Sequence, residues 1–316
     1  MQAQPSPRSD SEQALALRAG AGLQVRADLR VVRVEGEDRQ SWLNGQITGD
    51  LRNLTAQGSV YALAINVRGK ILADVWVLAD RERLLLLVPA SAAHALLESL
   101  ERYVIMEDVV LTAEPDTTVI SVQGPRANAL VRLVTAAQAR AFACDELGEG
   151  GVFVLAQADQ APALLQALLE HGAALGALPI TEDGYELARL RAGRPRFGRD
   201  FDDGAYPQEA GLKHALSFNK GCYLGQEVVC TLETRGRLTR KLCLLKSEPG
   251  AVVAVGAALL AADGQACGQI TSCVRDPQDG CLLALGYVKR AHATAGELLH
   301  AESATLRVVR SIGDTD

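Results

Sequence analysis

The chain has 316 residues, of which 48% are hydrophobic and 22% charged, with a formal net charge of -6 at pH 7. A chain of this length buries a core without metal or disulfide staples and divides into two or three domains, while its acidity argues against nucleic acid as a direct ligand. No apolar run reaches the length of a membrane span, and the opening MQAQPSPRSDSEQ holds no apolar signal core, so the chain reads as cytoplasmic, with no membrane partner and a disordered polar leader over residues 1–21.

In chain order, residues 23–34 (LQVRADLRVVRV) alternate like strands in a half-buried sheet. Residues 35–38 make a turn and helix start that leads into RQSWLNGQITGDL, where Trp42, Leu43 and Ile47 recur at helical spacing. Residues 59–65 and 71–78 read as strands joined through the hairpin-like turn Asn66-Val67-Arg68-Gly69-Lys70, and 84–88 as a third strand. A helix is expected over 91–103 with Ser91 as N-cap. Strands follow over 109–111 and 118–122, then a helix over 126–139, a strand over 151–156, and helices over 161–171 and 183–192, the last ended by Gly193. This order suggests an α+β region of split βαβ type over 22–236, with intertwined halves near 22–112 and 113–236. Residues 196–219 form a long loop rich in Gly, Pro and Asp. Over 237–316, short strands at 238–246, 252–261, 266–274, 281–288 and 304–310, separated by Gly and Asp turns, describe a small β-barrel.

The seven cysteines (Cys144, Cys222, Cys230, Cys243, Cys267, Cys273 and Cys281) are odd in number and form no CxxC pair, which argues against a disulfide framework and a zinc ribbon. Cys267, Cys273 and Cys281 read as small buried hydrophobes. The histidines (His94, His171, His214, His292 and His300) lack metal-ligand spacing, and no metal site is expected.

Chemistry concentrates in one octapeptide, Lys220-Gly221-Cys222-Tyr223-Leu224-Gly225-Gln226-Glu227. The Lys220 ammonium, if it converges on Cys222, and a helix beginning near Gly225 would each lower the thiol pKa. Gly221 and Gly225 permit a backbone or a ligand approach that a Cβ blocks. Gln226 and Glu227 offer an amide and a carboxylate to a ring bearing both donors and acceptors. The bland alternative is a packing cysteine beside a surface lysine; the density of functional groups favours chemistry. Gln46, Thr48 and Asp50, beside Asn66 and Arg68, either line a cleft or satisfy a helix C-terminus. Arg189, Arg191, Arg194, Arg196 and Arg199 suit a carboxylate-rich ligand or form a solvated face, the commoner case. Arg235, Arg237, Arg240 and Lys241 pose the same choice, with a partner protein or tRNA as a further option.

KGCYLGQE resembles the signature of the YgfZ family, the folate-binding relatives of the aminomethyltransferase (T-protein) of the glycine cleavage system. Residues 41–50 (SWLNGQITGD) are similar to that family's F-L-x-G-Q-x-T-x-D element, and Asn66-Val67-Arg68-Gly69-Lys70-Ile71 to its x-x-[KR]-G-[KR] turn. Pro207-Gln208-Glu209-Ala210-Gly211-Leu212 sits just ahead of the signature, as in the family. The resemblance runs in order from residue 23 to the C-terminus.

The resemblance implies a T-protein-like fold, in which two α+β ferredoxin-like units surround a central folate cleft and a C-terminal β-barrel closes one side. It implies tetrahydrofolate or a one-carbon derivative as cofactor, and iron–sulfur enzymes or cluster-assembly proteins as partners. The implied role is assembly or repair of iron–sulfur clusters in a subset of enzymes, tRNA-thiolating ones included. The family's functional residues fall on Cys222 and Lys220, the expected catalytic pair. The expected folate contacts are Lys220, Gly221, Tyr223, Gly225, Gln226, Glu227, Gln46, Thr48, Asn66, Arg68, Arg189 and Glu209. One segment departs from the T-proteins, whose R-L-E-A-G glutamate holds the pterin's amide edge. Here the segment is Arg189-Leu190-Arg191-Ala192-Gly193, and an arginine accepts no hydrogen bond. That argues against classical aminomethyl transfer and leaves Glu186, Glu209 or Glu227 as the pterin's carboxylate. A folate-dependent aminomethyltransferase or one-carbon transferase is the alternative function, and a binding scaffold without chemistry a third.

Overall fold

A computed structural model describes residues 9–134, 140–236 and 238–314. Helix α1 (Asp10–Ala19) precedes strands β1 (Ala21–Val25) and β2 (Leu29–Glu35). Then come α2 (Arg39–Gln46), β3 (Ser59–Ile65), β4 (Ile71–Asp80), β5 (Arg83–Pro89), α3 (Ala93–Glu101) and β6 (Val110–Ala113). The chain continues through β7 (Thr117–Gln123), α4 (Ala127–Val134), β8 (Arg140–Ala143), β9 (Gly151–Gln157), α5 (Ala161–Gly172), β10 (Ala177–Pro179), α6 (Glu182–Ala192) and α7 (Gln226–Thr234). It ends in β11 (Arg240–Ser247), β12 (Ala258–Leu260), β13 (Ala266–Arg275), β14 (Leu282–Lys289), β15 (Leu298–Ala301) and β16 (Ala304–Ser311).

Two five-stranded sheets, ordered β3-β4-β5-β2-β6 and β10-β1-β7-β9-β8, precede a closed six-stranded barrel. The alternating segment at 23–34 divides between them: β1 joins the second sheet and β2 the first, so the two units are intertwined. Strand periodicity explains the layering. On β4, Ala73, Val75 and Val77 face the core under α2 and α3. On the opposite face, Leu78 and Trp76 meet Phe142, Phe153 and Leu155 of the second sheet. The second sheet's other face is covered by α4 and α5 through Leu130, Val131 and Leu168.

Several expectations are corrected. Within the expected disordered leader, residues 10–19 are helical. Ser9 and Glu12 form a reciprocal capping box, and Ala14, Ala16 and Leu17 are buried. The third helix starts at Ala93 with Ala92, not Ser91, as its N-cap. Residues 135–139, the end of the expected fourth-helix segment, lie outside the described residues, as does Arg237. β8 and β15 are four-residue strands that pattern reading missed, and the expected strand over 252–261 shortens to β12. Four residues give periodicity too little length to register.

Candidate functional site

Three of the segments that carry the family resemblance, 41–50, 66–71 and 220–227, converge on one place. Gly225 has φ +75°, and a Cβ there would stand 2.4 Å from the Asn66 carbonyl oxygen, so only glycine lets the signature lie on the 66–70 turn. The Leu224 N–H donates to the Gly45 carbonyl at 3.1 Å. Tyr223 is buried beside Leu63, Ile65, Ile71 and Val229. Helix α7 begins immediately after Gly225, as the sequence suggests.

Lys220 explains much of this convergence. Its buried ammonium donates to the carbonyls of Asn44, of Ile47 at 2.8 Å and of Gly49 at 2.6 Å. It thereby closes the C-terminal end of α2, where carbonyls lack helical partners. Burial lowers its pKa to about 8, with the nearby Asp50 opposing that shift. Its bonding partners are carbonyls, and the Cys222 thiol is not among them. Cys222 is exposed, whereas Cys144, Cys243, Cys267 and Cys281 are buried and Cys230 and Cys273 half-buried.

A separate cavity of about 360 Å³ opens between the first sheet, the 145–146 loop, α6 and the loop after α6. Its lining includes Tyr61, Asp74, Trp76, Glu146, Tyr185, Arg194 and His214. Asp74 continues the face of β4 that carries Leu78 and Trp76, so a carboxyl enters the cleft where the apolar layer ends. The residue is half-buried with its carboxyl enclosed, which pushes the pKa up to about 6, and Oδ2 accepts the Tyr61 hydroxyl at 3.0 Å. Its Oδ1 is buried without a hydrogen-bond partner among the described residues. Tyr61 stacks on His214 with ring centroids 5.6 Å apart and stands 5.1 Å from the Trp76 ring. Desolvation of the ring in the cleft, reinforced by the Arg194 charge, lowers the His214 pKa.

Around the cleft, most of the charge is spent internally. Glu146 accepts from Arg26, from Ser121 at 2.6 Å and from Tyr185 at 3.3 Å. Arg189 is buried against Glu186 at 2.5 Å and Asp200 at 2.7 Å. Arg196 binds Asp28 and Glu186, each at 3.0 Å, and Arg199 binds Glu182 at 2.8 Å. Arg191 pairs with Asp276 of the barrel at 2.5 Å and does not line the cleft. The basic stretch is therefore neither a free anion site nor a solvated face: it is an internal ion-pair network. Arg194 is the exception: it lines the cleft, and its guanidinium has no hydrogen-bond or ion-pair partner among the described residues.

Of the expected folate contacts, Arg189 alone lines this cavity. Gly221, Tyr223, Gly225, Gln226, Glu227, Asn66 and Arg68 belong to the signature face. Tyr61 and Ile65, which lies under Gly225, are four residues apart on β3, which puts that face about 13 Å from Tyr61 along the strand. Gln46 ends α2. Thr48 is fully buried, its hydroxyl donating to the Ala215 carbonyl at 2.6 Å and accepting the Leu63 N–H at 2.9 Å. Glu209 is buried beside Arg240 at 3.4 Å, and Lys241 pairs with Asp314 at 2.6 Å. The cleft residues Asp74, Tyr61, Trp76, Tyr185, Glu146 and His214 escaped sequence reasoning. One signal existed for Asp74: an acid inside the apolar strand segment ILADVWV. Among the described residues no group of three His, Cys, Asp or Glu side chains is placed to hold a metal, and no helix is long and apolar enough to cross a membrane.

Comparison with known proteins gives the same picture. The chain matches the GCVT N-terminal domain over residues 4–146 and the glycine cleavage T-protein C-terminal barrel domain over 240–311. It superposes on the aminomethyltransferase T of the Bartonella henselae glycine cleavage system with a TM-score of 0.85, at 24% identity, covering 97% of this chain and 90% of the other. The fold is therefore GcvT-like, with α+β units followed by a β-barrel. The chain is 26% identical to a putative chloroplastic transferase of Arabidopsis thaliana over 84% of its length, and spans only 64% of that relative. It is 27% identical to an aminomethyltransferase of Streptomyces avermitilis, covering 91% of this chain and 83% of the other. It is 26% identical to the tRNA-modifying protein YgfZ of Yersinia pseudotuberculosis, covering 72% of each chain. These matches define a T-protein-like protein. It carries both domains of the glycine cleavage T-protein, and its relatives include YgfZ proteins as well as aminomethyltransferases.

Proposed function

We propose that the chain is a cytoplasmic folate-binding protein that supports assembly or repair of iron–sulfur clusters in a subset of enzymes, tRNA-thiolating ones included, using the Cys222 thiol. The observation that carries the reading is the enclosed, half-partnered carboxyl of Asp74 in an aromatic cleft. A pterin presents adjacent N–H donors on its pyrimidine edge, and Asp74 Oδ1 is an acceptor with nothing else to bind. Tyr61, Trp76 and Tyr185 give apolar ring surface, and Arg194 is a free cation for the glutamyl carboxylates. Tetrahydrofolate or a one-carbon derivative supplies one-carbon chemistry when bound. The protein's part is to hold its pterin edge on Asp74 and exclude water with the aromatic walls. In this reading Cys222, exposed on the signature face, meets a partner protein while the cleft holds folate. Lys220 serves the thiol by fixing the loop that carries it.

Asp74 also favours a second reading, a folate-dependent aminomethyl- or one-carbon transferase. A buried carboxyl that titrates near 6 can take or give a proton at neutral pH. One experiment separates the two. Delete the gene and assay a radical iron–sulfur tRNA-thiolating enzyme and an ordinary iron–sulfur dehydratase, with rescue by wild type and by Cys222→Ala. Activity lost on deletion and restored by wild type alone supports the maturation role. Unimpaired activity of both enzymes after deletion rejects that role, and methylenetetrahydrofolate formation from an aminomethyl-lipoyl carrier then tests the transferase.

A further inference from the structure

Between α3 and β6 the chain turns through residues 102–109 with two of its most apolar side chains pointing outward. Ile105 is 80% exposed and Met106 92%. Tyr103 and Val110 on either side are exposed as well. Single exposed hydrophobes are ordinary; this group differs because the backbone beneath it is fixed. Val104 and Val109 pack on the core of the first sheet and anchor both sides of the tip. The Trp42 indole N–H donates to the Tyr103 carbonyl at 3.0 Å. The Glu107 carboxylate folds back and accepts the backbone N–H groups of Ile105 and Met106, each at 3.0 Å. Those bonds lower its pKa and keep it ionised. Asp38 Oδ2 accepts the Asp108 N–H, and Asp108 Oδ2 the Glu37 N–H, both at 2.9 Å. The loop is thus ordered before any partner arrives, which removes the entropy cost that weakens flexible contacts.

The surroundings select the partner. Glu37, Asp38, Glu101, Glu107 and Asp108 are exposed around the tip, against Arg39 and Arg102. Such an acidic rim repels anionic lipid headgroups and a second copy presenting the same rim, and it complements a basic one. We propose that residues 103–110 form a docking knob for a protein whose surface offers an apolar pocket rimmed by lysine or arginine. Ile105 and Met106 are the anchors, and the carboxylates steer the approach.

The test uses the full chain in its native cell. A photoreactive benzoylphenylalanine replaces Met106, or Ala262 in an exposed barrel turn as the comparison, and adducts are identified by mass spectrometry. The expected result is one protein adduct at 106 and none at 262, with a cross-linked peptide that carries lysine or arginine beside apolar residues. Ile105→Ser, with an unchanged thermal midpoint, should weaken the adduct about tenfold, the effect of losing one interface anchor, and raised salt should weaken it further. No adduct above the level at 262, an adduct insensitive to Ile105→Ser in the folded variant, or an adduct with lipid or a second copy of the chain overturns the proposal. The readout uses neither folate nor an iron–sulfur enzyme, so its failure leaves the proposed function standing.

Discussion

The Tyr61 hydroxyl donates to Asp74 Oδ2 at 3.0 Å, while the buried Asp74 Oδ1 has no hydrogen-bond partner among the described residues. The fold thus satisfies one oxygen of this carboxylate and leaves the other unpaired among the described residues. Buried polar atoms are almost always paired, and of the unpaired ones among the described residues this carboxylate oxygen is the one that belongs to a residue lining the cleft.

Asp74→Asn should therefore stabilise the protein while disabling it. Burial raises the folded pKa to about 6 from 3.8. The folded chain consequently binds this proton more tightly, and the site's contribution to stability falls as pH rises from about 4 to about 6. At pH 7 the amide removes a desolvated charge and keeps an acceptor for Tyr61, a gain of about 1–3 kcal/mol. Denaturation curves at pH 4 and pH 7 check this, with the gain present at pH 7 and absent at pH 4. A loss of stability at pH 7 contradicts the account.

Tetrahydrofolate affinity should follow the same carboxyl. Binding measured by calorimetry is expected to weaken as pH falls through about 6, where Asp74 takes up its proton. Arg194→Ala should weaken it about tenfold or more at pH 7, by removal of one charge-assisted contact, with little effect on stability. Arg191→Ala should do the reverse, because its partner is Asp276 and not the cleft.

Lys220→Met should destabilise the fold by about 2–4 kcal/mol, since it strips the ammonium from the Asn44 carbonyl and the buried Ile47 and Gly49 carbonyls. The cleft lies elsewhere, so folate affinity per folded molecule should not change. Equal stability of the variant and wild type in urea would show the carbonyl cage to be dispensable.

Gly225→Ala should cost about 2 kcal/mol or more, because its positive φ disfavours an L side chain and the Asn66 carbonyl blocks the new Cβ. Gly221→Ala, where nothing lies within 4 Å of the Cβ position, should be nearly neutral. The contrast in thermal midpoints separates a packing glycine from an open one.

Cys222 should be the first of the seven cysteines to react with maleimide in the native protein, and Cys222→Ala should abolish that fast phase without shifting the thermal midpoint. A fast phase that survives the substitution would place the reactive thiol at Cys230 or Cys273.

The strand turn at 66–70, helix α7 and the barrel were legible because each obeys a local rule: a glycine turn, a helix after Gly225, strands between Gly and Asp turns. Leader residues 10–19 were misread because the composition of a short segment does not show the capping box or the α6 surface that buries it. The octapeptide was legible as a unit, but its chemistry was not. Lys220 lies two residues from Cys222 in sequence, yet its ammonium is directed by carbonyls some 170 residues away.

The sequence by itself determined the GcvT-like fold class and the place of the octapeptide that carries the exposed Cys222, because motif residues and glycine conformations are local properties. Only the tertiary structure decided where the cleft lies, which of the five clustered arginines is free, and that Asp74 is its orphaned acid. Those facts depend on which distant side chains each group meets once the sheets and α6 have packed, and strand periodicity carries no record of that.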